Sequence, residues 1–282
     1  MTVVGSTVRT LGDADRSAVA ELVAADHIGQ CVFEARLAGA ASLQPWDLGG
    51  QLWGLETADG LRAACFAGGT LMPLGGDPSD LRFLAAAMVV QRRTWSSIGG
   101  RADAVLAIWQ EAADRWGPAR AVRADQPLLV TRRAPLVTRD PLVVRATARD
   151  LPRYLPASLA MFAEELDLEP PDAGVDSAYR RRVASLIGAG LAFVRFDSRG
   201  RVMFKAEIVA VSAHCCQIQG VWVDPAHRGR GLGTAAVATV VAEGLRLAPA
   251  VSLYVNDFNL AARRVYERIG MRQVGSFATV LF

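Results

Sequence analysis

The stretch from Gly220 to Leu245 constrains this chain more than any other. Val221, Trp222 and Val223 read as the end of a buried strand, and Asp224-Pro225 stops it, because proline fixes φ and has no N–H to give a ladder. Arg228-Gly229-Arg230-Gly231-Leu232-Gly233 follows, and Thr234 to Leu245 is apolar enough for a helix packed on both sides. A strand that turns through glycines into a helix gathers unpaired backbone N–H groups around one point, at the positive end of a helix dipole. Such a point suits a phosphate. The dipole alone contributes about 0.3–1 kcal/mol per charge, so several N–H bonds must share the work. Glycine is needed because a side chain would hold the anion off the backbone.

Two familiar phosphate loops do not fit. No Gly-Lys-Ser/Thr follows the glycines, and the spacing of Gly229, Gly231 and Gly233 is shorter than the dinucleotide fingerprint. Arg228-x-x-Gly231-x-Gly233 instead resembles the pyrophosphate-binding signature of the GNAT superfamily, the Gcn5-related N-acetyltransferases. The resemblance runs on to the C-terminus. It takes Val251 to Val255 as the next strand, Asn256 and Asn259 after it, and Ala261 to Met271 as the family's last helix. It implies acetyl-CoA as a cosubstrate and no metal. By the same resemblance, Val221, Trp222 and Val223 supply pantetheine contacts, and Gly229, Arg230, Gly231, Leu232, Gly233 and Thr234 wrap the pyrophosphate, with Arg228 at the loop entry. Asn259 is a helix N-cap that in the family often also contacts the coenzyme. Gly220 stands where the bulge of the family's splayed strand would form most easily.

With 282 residues the chain is long enough for two domains of about 100–150 residues each. Its formal net charge of +3 is too mild and too evenly spread to argue for nucleic acid. Cys31, Cys65, Cys215 and Cys216 show no metal spacing and no disulfide framework, and are expected as reduced, semi-buried thiols of a cytoplasmic protein. The N-terminus carries no basic region followed by an apolar core, and no run of ~20 uncharged apolar residues occurs, so neither export nor a membrane span is expected. The expected partner is an amine acceptor, with no nucleic acid and no membrane, and the protein a monomer or homodimer.

The fold is expected as α/β (α+β): two tandem GNAT-like domains, each a mixed, largely antiparallel sheet flanked by helices. In residues 1–136, Val3 to Leu11 is a strand, Asp13 caps a helix through Ala25, and a second helix covers Ile28 to Leu37. Trp53 to Glu56 and Leu61 to Phe66 form a hairpin, with Leu71 to Leu74 as a third strand. A helix from Ser79, the strand Trp95 to Ile98, the helix Ala102 to Trp116 and the strand region Ala121 to Thr131 complete it. Leu74-Gly75-Gly76-Asp77-Pro78 stands where the phosphate loop belongs, without a preceding arginine and with an aspartate that would repel a pyrophosphate. This half therefore reads as a degenerate domain without a phosphate loop, an arrangement resembling actinobacterial two-domain GNAT proteins. Residues 137–282 read as the GNAT acetyltransferase domain binding acetyl-CoA. Its elements are a strand at Leu142 to Arg145, a helix from Leu151, a helix Tyr179 to Gly188, and the hairpin of Ala192 to Phe196 and Val202 to Val211. Cys215 to Val223 leads into the loop.

The chemistry implied is transfer of an acetyl group from acetyl-CoA to a primary amine in a ternary complex. A lysine-like amine, with a pKa near 10.4, is mostly protonated at neutral pH, so the site must remove a proton, stabilise an oxyanion and protonate a leaving thiolate. Tyr266 matches the family's general acid and shares an inward face with Ala262, Val265 and Ile269. Candidate bases are Glu207, which shares a strand face with Lys205 and pairs with it on a solvated surface if not catalytic, and Glu165. Glu164, Glu165, Asp167 and Glu169 form an acidic run that either draws a cationic amine or is simply solvated. His214 and His227 are further basic groups, and Gln217 and Gln219 can hold a water but not act as bases. Two other functions fit the same loop: a non-enzymatic acyl-CoA-binding regulatory module, and an acyltransferase using a longer acyl donor.

Overall fold

The computed structural model describes residues 5–166 and 177–282. Asp167, Glu169 and the start of the expected first strand lie outside them. The chain divides into two compact units. The first comprises Met1–Leu128, Tyr254–Asn259 and Gln273–Phe282, and the second Leu129–Leu253 and Leu260–Arg272.

In the first unit β1 (Thr7–Thr10) precedes helices α1 (Arg16–Ala24), α2 (Cys31–Gly39) and the single turn α3 (Pro45–Leu48). A meander follows of β2 (Gln51–Thr57), β3 (Gly60–Ala67) and β4 (Thr70–Gly75), then α4 (Pro78–Met88), β5 (Ser97–Arg101), α5 (Ala102–Trp116) and β6 (Ala121–Thr131). Val105, Ile108, Ala112 and Trp116 recur at helical spacing on α5 and are buried against Leu81, Leu84 and Met88 of α4 and against the sheet. Asp13 does not cap α1. Its Oδ1 accepts from the Leu43 N–H at 2.6 Å, and the helix starts three residues later.

The second unit runs β7 (Val144–Arg145), α6 (Leu151–Leu166), α7 (Ser177–Gly188), β8 (Ala192–Phe196), β9 (Val202–Val211), β10 (Cys216–Val223), α8 (Leu232–Gly244), β11 (Val251–Tyr254) and α9 (Leu260–Arg268). Its strands lie in the order β11-β10-β9-β8-β7, antiparallel except for β10 against β11. Helix α8 is buried on several sides through Ala236, Val237, Ala238, Val240 and Val241, as its unbroken apolar sequence requires.

The last strand, β12 (Arg272–Leu281), is absent from the sequence reading and returns to the first unit. It pairs antiparallel with β5 from Phe277↔Arg101 to Leu281↔Ser97, and Ala278 and Val280 join that unit's core. The first unit's sheet is thus ordered β1-β2-β3-β4-β5-β12-β6. A single cut after residue 136 does not coincide with these units, because this terminal segment buries its apolar face against α5 and β5. All four cysteines are buried thiols, more deeply than the semi-buried placement expected of them.

Candidate active site

Strands β10 and β11 pair only at Cys216↔Val251 and Gln217↔Ser252. Beyond that point they part, leaving the backbone of Ile218 to Val223 open on that side. Against β9 the same strand carries an extra residue: Gln219 faces Glu207 and Trp222 faces Lys205, so three steps on β10 match two on β9. The bulge falls at Gly220, whose φ is +61°. A Cβ there would also stand 3.0 Å from Lys205 Nζ and 3.1 Å from Glu207 Oε2. Glycine is demanded twice, by conformation and by this close approach.

At the far end of β10, Asp224 accepts from the Ala226 N–H at 2.8 Å and closes a turn of 3-10 helix over Pro225–His227. The chain then swings through Gly229 (φ +75°) and Gly231 (φ +78°) into α8. Nothing lies within 4 Å of where a Cβ would project at either glycine. Gly231 is the N-cap and no side chain caps the helix, so its first N–H groups face outward without a built-in acceptor. The exception is Thr234, whose N–H turns back to Gly231 O at 3.2 Å. Arg228 is anchored at the loop entry: Nε donates to Val223 O at 2.9 Å and Nη2 to Glu164 Oε2 at 2.6 Å. Glu164 also accepts from Trp222 Nε1 at 3.1 Å. So Glu164 is a tie between α6, β10 and the loop, not one of a free acidic run.

The corresponding turn of the first unit is built differently. Strands β4 and β5 again pair only at their starts, Thr70↔Ser97 and Leu71↔Ile98, and Gly75-Gly76 leads into α4. Here Asp77 Oδ1 accepts from the Ser79 N–H (2.8 Å) and the Asp80 N–H (3.0 Å), taking the amides a phosphate would use. Hydrogen bonds from Ser79, the Asp80 amide and Arg62 hold the Asp77 carboxyl down at about 2. The crevice beside it is bridged as well. Arg101 forks onto Asp26 at 2.6 and 2.8 Å, and Gln30 Nε2 donates to Pro73 O at 3.1 Å.

Lys205 and Glu207 are not on a solvated surface. Lys205 is wholly buried and Glu207 is 5% exposed, covered by α6. Lys205 Nζ donates to Glu207 Oε1 at 2.7 Å, and Tyr154 Oη donates to the same oxygen at 3.2 Å. Burial lowers the ammonium's pKa and Glu207 pulls it back up, while burial and then Glu207 push the Tyr154 phenol well above its ordinary value. Sequence reasoning missed Tyr154. Its signal was the apolar stripe of α6, which points it inward, where a phenol needs a polar partner.

Tyr266 lies buried on the inner face of α9, and Ile269 just past the helix end is buried as well. Burial first, and then the charge of Glu165, raise its pKa. Glu165 is exposed at its own end, and its charge also reaches Tyr179 and Lys205. The charge of Glu165 thus acts on Tyr266, Tyr179 and Lys205 alike. Gln219 Nε2 donates to Gln217 Oε1 at 3.1 Å, leaving Gln217 Nε2 buried without a partner among the described residues. Asn259 donates its N–H to Asn256 O at 2.9 Å and precedes α9. His227 lies beside the loop, and His214 is exposed before β10.

An open wedge between two parallel strands, a glycine bulge in one of them and an uncapped helix start at its mouth thus lie together in the second unit. Residues 152–271 match the family model described as Acetyltransferase (GNAT) family. Over those residues, almost all of which lie in the second unit, the chain is similar to the GNAT family. Residues 50–154, mostly in the first unit, match a domain of unknown function, DUF4081. GNAT structures align along nearly the whole chain. One from Sphaerobacter thermophilus is 17% identical with a TM-score of 0.60, covering 98% of this chain and 94% of that one. A GNAT acetyltransferase from Colwellia psychrerythraea is 12% identical with a TM-score of 0.57, covering 98% and 99%. A tandem GNAT protein from the clavulanic acid biosynthesis pathway is 14% identical with a TM-score of 0.55, covering 97% and 98%. At such identities the likeness concerns the fold, two tandem GNAT-like domains. No curated protein matches the sequence. Among the described residues no helix is long and apolar enough to cross a membrane.

Proposed function

We propose that the second unit transfers an acetyl group from acetyl-CoA to a primary amine, by direct attack in a ternary complex. Acyl transfer is the chemistry of its family. The observation that carries the finer reading is the uncapped start of α8 at the mouth of the β10–β11 wedge, with Gly229 and Gly231 open to solvent. On this reading the loop amides take the diphosphate, joined by Arg228 and Arg230, and the free backbone of Val221 to Val223 takes the pantetheine arm. Asn259 adds a contact from the start of α9. The first unit has no coenzyme site of its own, since Asp77 already fills its helix start.

In the reaction the amine nitrogen attacks the thioester carbon, the carbon–sulfur bond breaks, and a proton leaves the nitrogen. We assign that proton to Glu165, through water, because it is the exposed carboxylate whose charge reaches Tyr266. Glu207 already accepts from Lys205 and Tyr154 at one oxygen and supports the bulge from beneath. Tyr266 serves the leaving sulfur. Its raised pKa keeps the phenol protonated, so it holds its proton more tightly than a thiol of ordinary value near 8.5. It therefore assists by hydrogen bonding to the departing thiolate, which takes its proton from solvent.

Changing Gly231 to leucine tests the pocket. A side chain there projects into the open space above the amides. Coenzyme A affinity measured by calorimetry is expected to fall tenfold or more, roughly 1.4 kcal/mol or above. Unchanged affinity in a folded variant sinks the assignment.

A further inference from the structure

Beneath the Gly220 bulge the two ends of the irregularity are joined by side chains. The β10 residues that flank it, Gln219 and Trp222, stand opposite Glu207 and Lys205 of β9. Those two β9 residues are two positions apart, so their side chains share one face, and they meet there, Lys205 Nζ donating to Glu207 Oε1 at 2.7 Å. From α6, Tyr154 Oη reaches the same oxygen and the carbonyl of Ala206, the residue between the pair, each at 3.2 Å. Two strands and a helix are tied at one carboxylate oxygen. Gly220 rests on this tie, with a Cβ excluded by Lys205 Nζ at 3.0 Å and Glu207 Oε2 at 3.1 Å.

Stability does not account for two charges at this place. Lys205 is wholly buried and Glu207 nearly so, and an apolar pair of similar volume often holds a fold equally well or better. What the ion pair adds is a fixed position. A one-residue shift along a strand turns its side chains to the opposite face, and a bulge is the place where such a shift is easiest. Moved onto Val221, the positive φ now carried by Gly220 would fall on a β-branched residue. The same shift would pull Trp222 Nε1 away from Glu164 Oε1. A bond between the two β9 residues that face the ends of the arch sets the span the arch must match.

We propose that Lys205 and Glu207 are positioning residues for acyl transfer: bonded beneath Gly220, they hold the β10 bulge so that the open edge from Ile218 to Val223 meets the thioester in reacting geometry. The inference rests on the acetyl-transfer reading above. The pair acts on the exchange of bonds, because a misplacement of about 1 Å at the reacting centre costs about a hundredfold in rate. The diphosphate seat lies beyond the far end of β10, at the start of α8, and does not depend on it.

The test takes the full chain with Lys205→Met and Glu207→Leu together, which removes both charges and strands neither. Chemical denaturation, coenzyme A affinity by calorimetry and turnover with a responsive amine are measured on the same preparation. The expected result is a folded protein with unchanged coenzyme A affinity and a kcat about a hundredfold lower. Gly220→Ala, which keeps both charges and presses a methyl group onto them, should lower kcat alone and add little further loss to the double variant, as changes acting on one bulge do. A folded double variant with wild-type kcat, or with coenzyme affinity reduced as much as kcat, overturns the proposal and leaves acyl transfer standing. Should the double variant not fold, Gly220→Ala decides: a lower kcat with unchanged coenzyme affinity upholds the proposal, and an unchanged kcat overturns it. A wild type that binds coenzyme A and acetylates no amine of a broad panel overturns the acetyl-transfer reading and this inference together.

Discussion

Tyr266 shows what burial does to a single catalytic candidate. A phenol in the core, near enough to Glu165 to feel its charge, has its pKa raised and is neutral at physiological pH. It is ready to donate its proton. Replacing it with phenylalanine removes one hydroxyl from a packed position and leaves the ring contacts in place. With a responsive amine, thiol release from acetyl-CoA should then fall roughly a hundredfold in kcat with little change in coenzyme KM, the scale of a lost hydrogen-bond donor at a developing charge. An unaltered kcat would reduce Tyr266 to a core residue. At Gly220 the same scale works through space: a methyl group would crowd the ammonium and carboxylate beneath the bulge at 3.0 and 3.1 Å.

The strand pair β9–β10 gathers the strongest electrostatics of the second unit. Lys205 and Glu207 lie inside the protein, and each is tolerated because the other is there. Changing Lys205 to methionine strands a buried carboxylate and should destabilise the second unit by about 3–5 kcal/mol in chemical denaturation. The double change, with Glu207→Leu as well, should recover most of that loss. If the single change costs under about 1 kcal/mol, the pair is more hydrated than its burial states. This pair also marks the limit of what can be read in advance. Elements bounded by turn residues were legible at once: α5, β8 and β9 stand at the expected residues, as does the glycine turn into α8. Two charges alternating on a strand look solvated until one knows that α6 lies across them. Asp13 showed every local sign of a helix cap, yet a backbone N–H thirty residues on claims its carboxylate. The Asp77 cap, by contrast, is local, and its disagreement with a phosphate loop was visible in five residues.

For the whole molecule the least legible feature was where the chain's end goes. Nothing around Phe277-Ala278-Thr279-Val280-Leu281 names its partner strand, because that partner, β5, lies far back in sequence. In the first unit's sheet β12 nevertheless lies between β5 and β6. Deleting residues 273–282 is expected to expose the Ile98, Val105 and Ile108 side of the first core, so that this unit loses its cooperative melting transition. A synthetic peptide of those ten residues should restore it. A fragment ending at residue 136 should behave like the deletion. If it melts cooperatively, β12 is an accessory and not a constituent.

A ribosome making this protein releases its opening half long before it has the means to finish it. At about 5–20 residues per second, the segment ending at Leu128 waits roughly eight to thirty seconds for Gln273–Phe282 to be made. Until then it presents an unclosed sheet margin to the cell. The first unit, made ahead of β12, is therefore sealed late, and a nascent-chain chaperone has most to shield there.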